Sequence, residues 1–385
     1  MKTNMSCKER VTAAIHSREV DYVPMIQDFW MPYIIDRKTN TKRAWNNERE
    51  RLAIYRDLGW DTKIHVRTHV TPGKDVKTET IYEKDENGTI IHQTWDTPAG
   101  KISERLRLTE DWPEAFNRKE NIELGHDFRT PRYIEVPFKN SNDLDALEYL
   151  FPENNPIDEQ MILEQYREKK ALSEEFGVPL IVYMDGGMDW FMWLHTAEEA
   201  VLLLMDRPED AKRMLSVISK AKKQRLQMLL ELGVDAVIRR GWYESADFWS
   251  PEIFKEYAMP ELSKDIAMTH SANAGFIYLM MTGIMPLLSD LASLDFDCLC
   301  GAEPVLTGQD QRVLRKSLPG KAIFGGISGP EHLSKGTPEN TVRGVEEAFE
   351  VMGKTGFILG PGVGFRHDWS WDNIEALDRT WKSLR

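Results

Sequence analysis

The chain has 385 residues, a formal net charge of −13 and only three cysteines, Cys7, Cys298 and Cys300. This length buries a large core unaided, and thiols so few and so badly spaced for a disulfide framework point to a reducing cytoplasm. The negative charge argues against nucleic acid and anionic membrane surfaces as partners, and against a highly acidic substrate unless a local arginine cluster opposes the field.

Residues 1–10 hold no apolar run able to act as a signal peptide, and no run of eighteen apolar residues is present to span a membrane. Strand-like runs come first at 23–27 and 62–70. A polar stretch follows at 71–145, with turn signals at Pro72-Gly73, Glu86-Asn87-Gly88 and Pro98-Ala99-Gly100. Segments 78–82 and 89–95 flank Asn87-Gly88 and predict a hairpin. Further strand-like runs lie at 178–184, 235–239, 276–280, 296–300, 322–327 and 356–360, with helical patterns between most of them. The pattern at 208–232 is long and amphipathic, with Met214, Leu215, Ile218, Leu226 and Leu229 at helical spacing. Ser250-Pro251-Glu252 supplies a helix start, Ser as cap and Pro at the first helical position, and Thr337-Pro338-Glu339 repeats it. Eight strands alternating with helices predict an α/β fold, a TIM-type (β/α)8 barrel with an N-terminal polar/hairpin elaboration. The expected organisation is a single domain, 1–385, with the elaboration at about 71–145; a small N-terminal domain ending near Pro156 is the alternative.

Several loose motifs fall in a consistent order. They are Lys8-Glu-Arg-Val-Thr-Ala-Ala-Ile-His16 with Asp21-Tyr-Val-Pro24, then Phe248-Trp-Ser-Pro-Glu252 and Leu287-Leu-Ser-Asp-Leu291. Phe324-Gly-Gly-Ile327, Lys335-Gly-Thr337 and Gly356-Phe-Ile-Leu359 follow. In this order and spacing, from Lys8 to about Leu377, the chain resembles the uroporphyrinogen decarboxylase superfamily, which also contains methyltransferases that work with corrinoid proteins. The resemblance implies a (β/α)8 barrel with its site at the C-terminal ends of the strands.

The branches of that superfamily differ in what they ask of the mouth. The decarboxylases resembled here use an Arg-containing segment after the first strand and an Asp after the second. This chain has Gln27-Asp28-Phe29-Trp30-Met31-Pro32 at the first place, and no Asp within 64–70 at the second. A porphyrinogen bearing many carboxylates needs several cations to replace its hydration, and Arg67, Arg239 and Arg240 are the partial counter-argument. The branch that methylates small thiols implies zinc held by His-x-Cys at a strand end and a later Cys. Here Met280, Thr282 and Val363 occupy those positions, so that zinc site cannot form. His270 does not replace it and reads as a helix-end residue.

Seven of the twelve tryptophans fall just past expected strand ends: Trp30, Trp190, Trp193, Trp242, Trp249, Trp369 and Trp371. Phe29, Phe191, Tyr243 and Phe248 join them, with Met188, Met192, Met280 and Met281. Aromatics also pack under long loops, and some of these serve only that purpose. Those that line one mouth make a cavity for a flat apolar ring, with a quaternary ammonium as the rival ligand. Trp30, Trp190, Trp193, Trp242, Trp249, Met280 and Trp369 are the expected substrate-binding residues.

The resemblance then implies an O-demethylase component, a methyltransferase moving a methyl group from a methoxylated aromatic to cobalamin on a separate corrinoid protein. The polar strand-end residues are His65, Arg67, His69, Asp185, Asp189, Glu244, Asp247, Cys300, Glu303, His367 and Asp368. His367, Glu244 and Asp185 are the expected catalytic residues; His367, Glu303 and Glu244 would suit an open zinc position. O-demethylases resembled here carry a zinc pattern of Glu, fourteen residues, Glu, twenty residues, His, which this chain matches at Glu159/Glu174/His195 and at Glu331/Glu346/His367. Cys298 and Cys300 share one strand face and read as core. Gly325-Gly326 and the glycines at 360–364 serve close backbone approach, since no Lys-Ser/Thr follows to make a phosphate loop. The Asp-x-His-x-x-Gly motif of cobalamin modules does not occur, so any cobalamin arrives on a partner. A decarboxylase of the uroporphyrinogen type and a catalytically silent barrel binding an aromatic or corrinoid ligand are the alternatives. A homodimer is an open option.

Overall fold

The computed structural model describes residues 4–27, 33–36, 41–109, 124–125, 129–305, 308–361 and 369–385. The chain divides into two compact units, one of Met1–Arg67, Glu164–Met184 and Leu229–Arg385, the other of Thr68–Leu163 and Asp185–Met228. Strands are numbered along the chain. β1 (Tyr33–Asp36) and β2 (Thr41–Ala44) form a small antiparallel pair. β3 (Ile64–Arg67) belongs to the main sheet. β4 (Lys77–Asp85), β5 (Gly88–Thr97), β6 (Gly100–Leu108) and β7 (Tyr133–Glu135) lie in the second unit. The main sheet resumes with β8 (Leu180–Met184), β9 (Ala236–Arg240), β10 (Gly275–Leu279), β11 (Cys298–Cys300), β12 (Ala322–Ile327) and β13 (Phe357–Pro361).

The first unit is a TIM-type barrel. Its seven parallel strands run in the order β13-β12-β11-β10-β9-β8-β3. Met25 pairs with Leu359 of β13 and Ile26 with Asp61 just before β3, so the first apolar run joins the two edges of the sheet. That run is shorter than the strand expected at 23–27. Pro24 has no N–H to extend the ladder, and its carbonyl accepts from Leu359 N at 2.9 Å. Gly360 is needed here, because a Cβ at this position would lie 2.5 Å from the Ile26 carbonyl oxygen. Gly326, at φ +93°, faces Ala348 so closely that a Cβ would sit 2.9 Å from its methyl.

Side chains alternate across each strand, and one set fills the lumen. Ile26, Ile181, Ile238, Ile277, Leu279, Cys298, Cys300, Phe324 and Ile358 form a single buried cluster. Both cysteines are free and sit within it. The helix Pro208–Leu232 appears where the periodicity predicts it, with Met214, Leu215, Ile218, Leu226 and Leu229 all buried. Ser250 and Thr337 cap their helices, accepting from Ile253 N and Asn340 N. Among the described residues no helix is long and apolar enough to cross a membrane.

Just before β11, Asp297 accepts hydrogen bonds from His16 Nδ1 (3.0 Å), His270 Nε2 (2.8 Å) and Phe276 N (2.7 Å). Burial would raise this carboxyl, but the hydrogen bonds outweigh it and hold it below the usual carboxylate range. A depressed folded pKa contributes stability above the unfolded value of about 4, lost as pH falls through the folded value. Asp297→Asn should therefore cost about 1–3 kcal/mol at pH 7. In thermal melts from pH 7 to 3 the gap to wild type should close on the acid side; a constant gap would contradict this role.

The second unit carries an antiparallel sheet in the order β4-β5-β6-β7. Asp85 pairs with Gly88 across a two-residue turn, and the Asp85 carboxylate accepts from Asn87 N at 2.9 Å. Thr97 pairs with Gly100 across Pro98-Ala99 in the next turn. The hairpin expected from Asn87-Gly88 is thus the first half of a longer meander. Charged pairs are buried in this unit. Arg129 meets Glu104 and donates to Gln93, and Arg225 pairs with Asp158 at 2.7 Å. Asp158 also accepts from the hydroxyl and backbone N–H of Thr71. This unit includes more than the 71–145 segment, taking in 146–163 and 185–228 as well.

The barrel sheet draws on both ends of the sequence, which bears on how the chain can be cut. A fragment ending near residue 150 would hold Met25, Ile26 and β3 but lack β8 and β13, their hydrogen-bonded neighbours. Limited proteolysis should nick the exposed β4–β5 turn near 84–88 without releasing a stable N-terminal piece. A folded fragment ending near 150 would contradict this.

Candidate active site at the strand ends

At the C-terminal end of the lumen the apolar cluster is capped by Tyr183 of β8, Trp242 just after β9 and Met281 just after β10. All three are partly exposed, so they form the floor of the mouth. Their positions follow from counting by twos: Ile181 leads to Tyr183, Ile238 to Arg240 and Trp242, Leu279 to Met281. Met281 is fixed through its carbonyl oxygen, which accepts from Glu303 N (2.9 Å) and Gln309 Nε2 (2.7 Å).

Two arginines share this floor. Arg67 ends β3 and is the register partner of Tyr183, with its guanidinium carbon 5.7 Å from the Tyr183 ring centroid. Arg240 ends β9, is buried, and lies 5.4 Å from the same centroid and 4.6 Å from that of Trp242. The His65 ring is 5.7 Å from Tyr183. Arg239 points to the other face of β9. It grips Glu244 in a two-pronged pair at 2.5 and 2.8 Å, with Asp265 at 3.4 Å. Burial works against the Arg239 charge, and the Glu244 carboxylate more than offsets it, holding the group above its usual range. Of the three arginines weighed from sequence, two face the mouth and one is structural.

Glu244 therefore holds the loop after β9. Its carboxylate also accepts from Tyr278 Oη at 2.6 Å, and a Cβ on Gly241 would lie 2.5 Å from its Oε2. Glu303 is buried, and its Oε1 accepts from Val305 N at 3.2 Å. Among the described residues no three of His, Cys, Asp and Glu converge as a metal set. His367 and Trp30 lie outside the described residues. The triplet Glu159/Glu174/His195 fails on geometry: both glutamates sit on the helix Pro156–Phe176, about 22 Å apart along its axis. His195 is buried with Nδ1 at 3.1 Å from the Phe191 carbonyl, and burial lowers it to about 4, leaving it neutral. In the second triplet Glu331 pairs with Lys335, and Glu346 lies on the helix Pro338–Met352. Among the described residues, then, neither triplet brings its members together.

The expected aromatic wall separates into parts. Trp190 and Trp193 belong to the second unit, buried in the helix Asp189–Leu194, where Trp190 packs edge-on against Phe151 (5.0 Å) and Trp193 (5.1 Å). Trp249 is buried, its Nε1 donating to the Tyr243 carbonyl at 2.5 Å. Trp369 is buried against Gly329, and Met280 is fully buried and absent from the lumenal cluster. Of the expected substrate-binding residues that are described, only Trp242 is partly exposed. Asp185 follows β8, is partly exposed and opens the second unit's later segment. Tyr183, Met281 and the arginine pair complete the floor, and two-residue alternation was the signal that finds them.

A parallel barrel whose strand-end residues gather over a filled lumen defines the class. The chain belongs to the uroporphyrinogen decarboxylase (URO-D) family, whose sequence profile matches residues 121–384, more than half of its length. No curated protein matches the sequence significantly. Among solved structures, the chain is similar to a methyltransferase from Methanosarcina mazei, with 16% identity, a TM-score of 0.60 and 99% of each chain covered. It also aligns with a B12-independent methionine synthase from Shewanella sp. W3-18-1 in complex with selenomethionine, at 10% identity and a TM-score of 0.45, covering 94% of this chain and 98% of that one.

Proposed function

We propose that this protein is a methyltransferase that moves a methyl group from a methoxylated aromatic to the cobalt of a corrinoid on a separate protein. The observation that carries the reading is the floor of Tyr183, Trp242 and Met281 over the apolar lumen. A ring lies flat on such a surface by stacking and sulfur contact, leaving its methoxy group toward the open mouth. The methyltransferase of Methanosarcina mazei shares this fold and is consistent with the reading. In the reaction the methyl–oxygen bond breaks, the ether oxygen keeps the electron pair, and the methyl group goes to cobalt. The corrinoid partner supplies the reduced cobalt nucleophile. Tyr183, Trp242 and Met281 orient the ring and keep water from its face. Among the described residues no zinc ligand set forms; His367, which lies outside them, and Asp185 stay as proposed catalytic residues.

The test is methylation of a reduced corrinoid protein, read from its visible spectrum, across a panel of donors. Guaiacyl compounds should react, while methanol and tetramethylammonium should not. Reaction with methanol or the quaternary amine and silence with methoxyarenes would overturn the proposal. The arginine pair favours one second reading, a decarboxylase acting on a small aromatic acid. Two cations suit one carboxylate, not the many of a porphyrinogen.

A further inference from the structure

Resting on the aryl methyl ether reading of this mouth, we propose that Arg67 and Arg240 receive the departing phenolate. Breaking the methyl–oxygen bond leaves a full negative charge on the ether oxygen. A poor leaving group needs that charge offset where it develops. β3, β8 and β9 are adjacent strands, and Tyr183 stands on the middle one. Arg67 is its direct partner across the sheet. Arg240 lies two residues beyond Ile238, the partner of Tyr183 on the other side. The two guanidiniums therefore flank one ring, at 5.7 and 5.4 Å from its centroid.

Arg67 differs in its partners from the structural arginine that precedes Arg240. Arg239 is consumed by Glu244 and Asp265. The Arg67 guanidinium makes no hydrogen bond or ion pair to a described residue and is exposed. Arg240 is buried, with its charge laid over the faces of Tyr183 and Trp242. The low polarity around a guanidinium at the top of an apolar lumen strengthens its pull on an anion. Arginine also stays charged at every working pH, so the phenolate leaves as an anion held by charge-assisted hydrogen bonds and is protonated after release. The atoms balance: the methyl group passes to the partner's cobalt with the cobalt electron pair, and the oxygen retains its own.

The experiment uses 4-nitrophenol, whose phenolate absorbs in the visible, bound to the intact protein. Its apparent pKa should fall by at least one unit on binding to wild type and return toward the free value in Arg67→Gln and Arg240→Gln. Arg67→Gln guards against misfolding, since Arg67 is exposed; circular dichroism should match wild type. In the methyl-transfer assay both variants should lose about 10²-fold or more in rate. The loss should be greatest for donors whose phenols are least acidic, a steeper leaving-group dependence than any purely structural role would give. If 4-nitrophenol binds but its ionisation is unmoved, the inference is overturned and the aromatic reading stands. If benzoate binds tightly and depends on Arg67 while the phenol is unmoved, the pair seats a ring carboxylate and the inference again fails. If neither 4-nitrophenol nor methoxybenzene binds, the aromatic reading falls and the inference with it.

Discussion

Glu244→Ala should destabilise the protein by about 3–5 kcal/mol, because it strands a buried guanidinium. Arg239 and Glu244 are both fully buried, and the pair is joined by Tyr278 and Asp265. Removing the carboxylate leaves Arg239 in a low-polarity site with the Arg240 carbonyl at 3.0 Å and Asp265, at 3.4 Å, as its nearby carboxylate. Glu244→Gln keeps the shape and one acceptor and should cost less than the Ala variant. Urea or thermal unfolding measures both. A Glu244→Ala protein of wild-type stability that had lost only its methyl-transfer rate would show that this carboxylate works on substrate, as the sequence suggested, and not on the loop.

Trp242→Ala should weaken binding of methoxylated aromatics by about 30- to 100-fold, the loss of a large ring from the centre of a site. Trp242 packs on the lumenal cluster from above and carries the Arg240 charge on its face. Its truncation therefore removes both stacking surface and a wall of the arginine. Calorimetric titration with methoxybenzene compares the variants. Trp249→Ala is the control, since Trp249 is buried and held to the Tyr243 carbonyl; it should cost stability before it costs affinity per folded molecule. Equal affinity in wild type and Trp242→Ala would place the ring elsewhere.

The barrel was legible in the sequence because its strands are apolar on both faces and its helices announce themselves at their ends. Ser250, Thr337 and the stripe of 208–232 were each sufficient for a local assignment. The 71–145 region was harder. Its first hairpin has a turn pair that forces it, whereas β6 and β7 alternate polar and apolar residues over a sheet with a buried Arg129–Glu104 pair inside. Charges on the inner face hide a strand from a hydrophobicity pattern. The site was half legible. The abundance of tryptophan was real, but proximity to a strand end does not say which face a side chain takes. Met280 and Met281 are neighbours, and only Met281 caps the lumen. Arg239 and Arg240 are likewise neighbours with opposite fates, one tied to Glu244 and one laid over Tyr183. Strand parity separates each pair; composition cannot.

The most direct test of the account follows two atoms of one donor in a single turnover. A methoxybenzoate labelled differently in its methyl and carboxyl carbons is mixed with the protein and a reduced corrinoid partner. Methyl transfer predicts that the methyl label moves to the corrinoid while the carboxyl label stays on the released phenol. Loss of the carboxyl label as carbon dioxide, with the methyl label retained on the ring, would contradict the account and make the protein a decarboxylase. Both labels remaining on bound, unchanged donor would contradict it equally and make the barrel a silent receptor.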